Sequence, residues 1–411
     1  VRLVLSGYYG FYNVGDEAIL QSIIKALHEE DPTLELVVLS NDPDYTRKMY
    51  GVEAVNRWDI RAIYKEIKRS NGLISGGGSL LQDKTSIKSI LYYTGIMRIA
   101  RFLKKPYYIY AQGIGPITKR QNRLLVKWQV SKAEYISVRD EDSFLYLKEI
   151  GIKKDIELVP DPVLACQPEG MKSEWLQKHS IQGKVIAVSV RYWDAKEDYM
   201  KKLADTLKQL KRDGYHILFV PMHGPFDQNA SRDIINLMGE EAHMLPYKLD
   251  IHEKISILSE CSLLIGMRLH ALILSAVANI PMVGISYDPK IDSFLQQVNQ
   301  PIIGNVDGDW TAETLYNVAT KQLEQKEYVQ ETLEQRVEEL REQISTASRY
   351  IISDLNSKEF KKEEWDLNLR GHPLFYFLKK RKCRKKKYIC RKMSNLVKAC
   401  KLILIKKKFE R

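Results

Sequence analysis

The chain has 411 residues, 44% hydrophobic and 28% charged, which is more than one core organises and points to two globular domains. No run of about 18 uninterrupted apolar residues occurs, which excludes a membrane-spanning helix, and five cysteines without a CxxC pair fit a reducing compartment better than a disulfide scaffold. The formal charge of +12 is lopsided: residues 358–411 carry +15 and residues 1–357 sum to −3, so a nearly neutral body ends in a tail suited to an anionic surface rather than to general nucleic-acid binding.

In chain order, residues 3–6 read as a first strand rather than as the apolar core of a leader peptide. Strands are predicted at 36–40, 72–75, 107–111, 135–138 and 156–159, alternating with helices at 17–28, 87–102, 120–133 and 141–150, the last stopped by Gly151. Residues 162–182 look like a linker. The pattern then restarts, with strands at 185–190, 217–220, 263–265 and 282–285 and helices at 197–213, 229–238, 251–260 and 268–278. Short apolar strands alternating with helices mean parallel sheets covered on both faces. The expected fold is α/β, with two Rossmann-like domains at 1–162 and 163–310. Helices over 311–357 carry Leu333, Val337 and Leu340 at helical spacing to pack back on the body, and a polybasic tail occupies 358–411.

The stretch Gly266-Met267-Arg268-Leu269-His270-Ala271 closes a strand and opens a helix. Ligands of open α/β sheets bind beyond the carboxyl ends of the strands, and a helix N-terminus attracts anions. Arg268 adds a planar fork matched to phosphate or carboxylate, and His270 adds a proton carrier. Taken alone, Arg-x-His is more often structural than functional. Arg191, His223 and Lys290, however, also follow predicted strands of the second half, and several cations on one sheet edge make an anion pocket. In the first half, Asn13, Asp16 and Glu17 open a helix. Two carboxylates there repel a pyrophosphate but accept hydrogen bonds from sugar hydroxyls, although Asp16 alone would read as a helix cap. Gly77, in a triple-glycine turn, permits close backbone approach, and Asp83 is a candidate sugar contact. The glycines do not fall as GxGxxG, and no HExxH, GxSxG, CxxC or Walker pattern occurs, so neither a metal nor a bound cofactor is indicated.

Taken together, the Gly10–Glu17 block (GFYNVGDE), Gly76-Gly77-Gly78, Gln112-Gly113-Ile114-Gly115-Pro116, Val138-Arg139-Asp140 and the Arg268-Leu269-His270 block resemble the polysaccharide pyruvyl transferases. The likeness covers roughly residues 3–300 and leans toward the bacterial type acting on secondary cell-wall polymers that carry S-layer proteins. It implies a GT-B-like arrangement, phosphoenolpyruvate as co-substrate, and a ketal-linked pyruvate across O4 and O6 of a sugar, N-acetylmannosamine in a lipid-linked precursor. It also implies a catalytic role for His270 and donor contacts for Arg268, with Arg191 and Lys290 next. A nucleotide-sugar glycosyltransferase of the same fold and a non-catalytic polysaccharide-binding protein are the rival readings.

Within the tail, Lys379, Lys380, Arg381, Lys385, Lys386 and Lys387 are interleaved with aromatic and aliphatic residues. Each basic residue beside an anionic leaflet contributes about 1 kcal/mol, and apolar neighbours can insert. This favours a peripheral anchor on the cytoplasmic face of the membrane over a nucleic-acid arm or a solvated extension.

Overall fold

A computed structural model describes residues 1–83, 87–167, 173–179, 181, 183–195 and 198–370, with side chains described except at 87 and 359–370. The first half runs β1 (Arg2–Tyr9), α1 (Val14–Glu30), β2 (Glu35–Ser40), α2 (Pro43–Tyr50), β3 (Glu53–Asn56), α3 (Ile60–Arg69), β4 (Gly72–Gly76), α4 (Ile87–Phe102), β5 (Tyr107–Gln112), α5 (Arg120–Val130), β6 (Tyr135–Val138), α6 (Glu141–Glu149) and β7 (Glu157–Leu158). Its strands form one parallel sheet in the order β3-β2-β1-β4-β5-β6-β7. Sheets covered on both faces need strands that are apolar on both sides. β5 shows this directly, with all six residues of Tyr107–Gln112 buried.

After a short 3₁₀ turn (Pro162–Ala165), the second half runs α7 (Glu174–Lys178), β8 (Val185–Ser189), α8 (Tyr199–Arg212), β9 (His216–Phe219), α9 (Gly224–Met238), β10 (His243–Met244), α10 (Ile251–Ser259), β11 (Leu263–Gly266), α11 (Leu269–Val277), β12 (Met282–Ser286), α12 (Pro289–Gln297) and β13 (Ile302–Asn305). The strand order β10-β9-β8-β11-β12-β13 repeats the 3-2-1-4-5-6 winding of the first sheet. Both halves are therefore Rossmann-like, as expected. Each sheet reverses direction beside its first strand, so the crevice beyond β1 and β4 faces the one beyond β8 and β11.

Two helices complete the described residues, α13 (Ala312–Glu324) and α14 (Lys326–Arg370), broken only at Gln325. α14 straps the halves together. Gln330 donates to the Asn279 carbonyl and Arg336 to the Gln297 carbonyl in the second half. Arg341 then reaches the carbonyls of Leu164 and Cys166 in the connecting segment. Farther along, Arg349 pairs with Glu30 at 3.3 Å, and Tyr110 and Tyr108 bond to Ser348 and Asp354 in the first half. Its buried stripe is Leu333, Val337, Leu340, Ile344, Ala347, Ile351 and Leu355, the three-and-four spacing of one helix face. The helix continues past Ser357, where the composition turns basic. The tail residues Lys379, Lys380, Arg381, Lys385, Lys386 and Lys387 lie outside the described residues. Among the described residues, no helix is long and apolar enough to cross a membrane.

Candidate active site

A cleft of about 210 Å³ opens where strand ends of both sheets meet, lined by Asn13, Gly15 and Asp16 after β1, by Met222 and His223 after β9, by Arg268–His270 after β11 and by Tyr287, Asp288, Lys290 and Ile291 after β12. α11 forms one wall. Residues Ala271–Val277 are all buried, which pins the helix while its first turn stays at the cleft. Arg268 is the N-cap and makes no side-chain capping bond, so the first N–H groups of α11 remain open toward an anion.

Arg268 does not stand alone on this wall. Its Nε donates to Asp227 Oδ2 at 2.9 Å, and Nη2 contacts Oδ1 of the same carboxylate. Asp227 is fully buried and also accepts from the backbone N–H groups of Met222 and His223 at 3.1 and 2.8 Å. One carboxylate thus fixes the guanidinium plane and the start of α9 together, and a bidentate fork holds that plane more tightly than a single bond would. His223 lines the cleft beside this pair. Burial and then the charge of Arg268 push its imidazole below the ordinary value. Lys290 sits in the first turn of α12, its amide bonded to the Asp288 cap. Arg191 is one layer back: its Nη1 donates to the Tyr287 hydroxyl at 3.0 Å and its guanidinium lies 4.6 Å from that ring. It therefore reaches the cleft only by way of its contact with Tyr287.

Like the Gln21–His252 pair, His270 is one of the points where the halves touch. A Cβ on Gly15 would come within 2.1 Å of its Nδ1, so the start of α1 is packed directly on the imidazole edge. Nε2 lies 4.0 Å from Asp161 Oδ2 and is buried without a hydrogen-bond partner. Burial lowers the imidazole pKa to about 4, with Arg139 and Arg268 adding to the shift and Asp161 opposing it. The ring is neutral at neutral pH. Opposite, Asp16 is raised to about 7 by burial, against the pull of Arg139 and with the push of Glu17 and Asp161. Two groups whose environments drive their pKa values in opposite directions are a usual mark of acid–base chemistry.

Arg139 and Asp161 complete this centre. Arg139 Nη1 bonds Asp161 Oδ2 at 2.9 Å, and Nη2 bonds Ser79 at 3.0 Å. Both side chains are almost fully buried, and they line a small recess shared with Leu269 and Lys290. Neither had been assigned a role from sequence. The available signal was position: Arg139 directly follows β6, and Asp161 lies in a Pro-Asp-Pro step after β7.

Other predicted acceptor residues are placed elsewhere. The Glu17 carboxylate points into the first half, accepting from the Gly10 amide at 2.8 Å and the Tyr50 hydroxyl at 2.7 Å. It ties the glycine loop to α2, because a buried carboxylate must find donors. The Asp83 carboxylate is taken up by the amides of Thr118 and Lys119 and by Asn122, which outweigh its burial and bring its pKa to about 2. It organises the loop before α5. Gly77, at φ 67°, serves close packing: a Cβ there would meet Ile19 Cγ2 at 1.9 Å. Asn13 caps α1 by accepting from Gly15 N at 3.0 Å while lining the cleft.

Gly15→Ala is expected to lower turnover about 100-fold, the scale on which ångström displacements of a reacting group act. The added methyl overlaps the imidazole, and overpacking costs about 1–3 kcal/mol, so the melting temperature should fall modestly while kcat/KM measured on the folded protein falls about 100-fold. Unchanged kcat/KM would show that the contact with His270 is immaterial.

Two parallel Rossmann-type sheets facing across a cleft with cations on one side and a carboxylate on the other define a GT-B-like α/β enzyme. The chain belongs to the polysaccharide pyruvyl transferase family, whose model matches residues 13–289, and so is a transferase that moves pyruvyl groups onto polysaccharide. It is 20% identical over 366 residues to the amylovoran biosynthesis protein AmsJ of Erwinia amylovora, covering 73% of this chain and 87% of that one. Among solved structures, one from Listeria monocytogenes described as a UDP-N-acetylglucosamine 2-epimerase superposes with a TM-score of 0.62 at 12% identity over 88% of this chain and 97% of the other. Anabaena Alr3699/HepE in complex with UDP and glucose gives 0.58 at 12% identity over 87% and 99%. At such identities these two structures speak for the fold alone.

Proposed function

We propose that the cleft binds phosphoenolpyruvate on the second-half wall and a sugar diol on the first-half wall, and forms a 4,6-ketal with release of phosphate. The observation that carries this reading is the lining of the cleft, which brings the His270 ring together with the cationic wall of Arg268, Lys290 and His223 and with the Asp16 carboxylate, its buried Nε2 having no hydrogen-bond partner. Arg268, Lys290 and the open end of α11 would hold the donor's phosphate and carboxylate in a desolvated site. Arg139, paired with Asp161, places a positive charge near enough to be felt by His270. Pockets for drug-sized ligands run to about 300–1,000 Å³. A cleft of about 210 Å³ therefore suits a three-carbon phosphate ester and the edge of one sugar better than a nucleoside diphosphate sugar.

In this reading His270 is neutral in the empty cleft and gains a proton when the negatively charged donor settles beside it. It delivers that proton to the methylene carbon, leaving C2 an oxocarbenium-like centre. One acceptor hydroxyl adds to C2 while Asp16, poised near neutrality, takes its proton. The C2–O bond to phosphate then breaks, and the second hydroxyl closes the ketal. One donor and two hydroxyls yield one ketal carboxylate and one hydrogen phosphate. The acceptor we assign is N-acetylmannosamine in a lipid-linked secondary cell-wall precursor. The basic tail would hold the enzyme at the inner face of the membrane, where such a precursor resides. Salt-sensitive sedimentation with anionic vesicles, lost when residues after Arg370 are removed, is the expected sign of that anchor; binding that survives the deletion would refute it.

The donor assignment is tested by heat. Phosphoenolpyruvate should raise the melting temperature in a dose-dependent way, as any ligand selective for the folded state does, while UDP and UDP-sugars should not. Protection by UDP-sugars alone would overturn the assignment.

The two central groups also predict opposite pH behaviour. His270 falls from its ordinary 6.5 to about 4 on folding, so its contribution to stability is lost as pH drops from 6.5 toward 4. Asp16 rises from 3.8 to about 7, so its contribution is lost as pH rises through that window. Asp16→Asn should therefore melt higher than the parent at pH 7.5 and near it at pH 4, whereas parent turnover should climb with pH through about 7. Equal melting of the two proteins at both pH values would contradict the burial of this carboxyl.

A further inference from the structure

Beside the glycine loop, and not used in the chemistry above, lies a cluster of rings built around Arg57. The Arg57 residue is only 4% exposed. Its Nη1 donates to the Gly7 carbonyl at 2.8 Å and its Nη2 to the Tyr93 hydroxyl at 3.2 Å. Its guanidinium carbon lies 4.4 Å from the Tyr92 ring, 5.0 Å from Phe11, 5.2 Å from Trp58, 5.6 Å from Tyr93 and 5.8 Å from Tyr8. Tyr8 and Phe11 stack in parallel, with centroids 4.0 Å apart. Inward, both terminal nitrogens of Arg57 are paired, which fixes the guanidinium plane, while its buried Nε has no partner. On the outward side Tyr8 is 40% and Trp58 43% exposed. Contiguous exposed rings on a rigid base are costly without a ligand, unlike scattered surface apolar residues.

We infer that this ring cluster is a second carbohydrate subsite, a stacking platform for the acceptor pyranose next to the one that enters the cleft. The inference rests on the proposed use of the first half as the acceptor side and adds to it where the neighbouring sugar lies. A pyranose presents a C–H face that is apolar and a rim of hydroxyls. The platform offers flat rings with a polar margin, where Trp58 Nε1 bonds the Asn41 side chain at 3.0 Å and Tyr12 bonds Asp42 at 2.5 Å. Continuity with the cleft is covalent as well as spatial: Phe11 is two residues before Asn13, and the Tyr8 phenol feels the charge of Asp16. Rings already clamped by Arg57 lose little freedom when a sugar stacks on them, so the contact keeps most of its binding energy.

The test needs no donor. The full chain is titrated calorimetrically with the methyl glycoside of N-acetylmannosamine, and then with the methyl glycoside of a disaccharide in which N-acetylmannosamine caps a second pyranose. The disaccharide should bind about tenfold more tightly, the scale of one aromatic stacking contact. Phe11→Ala/Trp58→Ala should erase that difference, and Trp58→Phe, which keeps a ring, should preserve most of it. Should the double variant fail to fold, quenching of Trp58 by the disaccharide, present in the parent and missing in Trp58→Phe, reads the same contact. Equal affinity for the two sugars in the parent, an undiminished difference in the double variant, or stronger quenching by uridine than by the disaccharide would overturn the platform. Failure of phosphoenolpyruvate turnover with sugar discrimination intact would remove the donor assignment and leave the platform standing.

Discussion

His270→Gln is expected to cut turnover by about 10²–10⁴-fold, the usual scale of general acid–base catalysis, with phosphoenolpyruvate affinity changed only a few-fold. The imidazole lines the cleft beside the cationic wall, and its buried Nε2 has no hydrogen-bond partner. Its removal therefore takes away a proton carrier, while Arg268 and Lys290 remain to hold the donor. Glutamine keeps much of the volume packed against Gly15, so the junction between the halves should survive. Stability gives a second readout. Because the imidazole is held neutral by burial down to about pH 4, the parent is destabilised as pH falls below 6.5 and the variant loses that sensitivity. A variant with normal turnover, or one as acid-sensitive as the parent, would count against this placement.

Asp227→Ala should be the most destabilising single change around the cleft, at about 3–5 kcal/mol, because removing one partner of a buried ion pair leaves the other charge uncompensated. Here it would also orphan the amides of Met222 and His223. For a domain of 150–250 residues, each kcal/mol lowers the melting temperature by about 2–4 °C, so a fall of about 6–20 °C is expected. Asp227→Leu combined with Arg268→Met separates architecture from chemistry. Apolar replacement of both partners is often close to neutral for stability, so the double variant should recover most of the melting temperature and none of the activity. Recovery of both would mean that Arg268 has no part in binding the donor.

Much of the fold was legible because buried parallel strands are short apolar runs with helices between them. The runs at 107–111 and 263–265 became β5 and β11 with little change. β3 and α3 escaped notice for the opposite reason. In β3 only Ala54 is buried, and α3 carries a narrow apolar stripe among charges, so neither looks like core. His270 and Arg268 were visible because a strand end followed by a cation and an imidazole marks a sheet edge. Glu17 and Asp83 looked equally promising as sugar contacts, yet both carboxylates are turned inward to satisfy backbone amides. Sequence cannot distinguish a carboxylate that meets a ligand from one that meets a loop. Arg139 and Asp161 were missed because their relation to His270 exists only across the interface, between residues far apart in the chain.

The central claim, ketal-forming transfer from phosphoenolpyruvate in this cleft, is tested most directly by product mass. The protein would be incubated with phosphoenolpyruvate and a lipid-like diphosphate disaccharide ending in N-acetylmannosamine. The account predicts an acceptor heavier by pyruvic acid less one water, with one phosphate released per acceptor and neither change in His270→Gln. An unmodified acceptor in the parent reaction, or an equal yield from the variant, would contradict it.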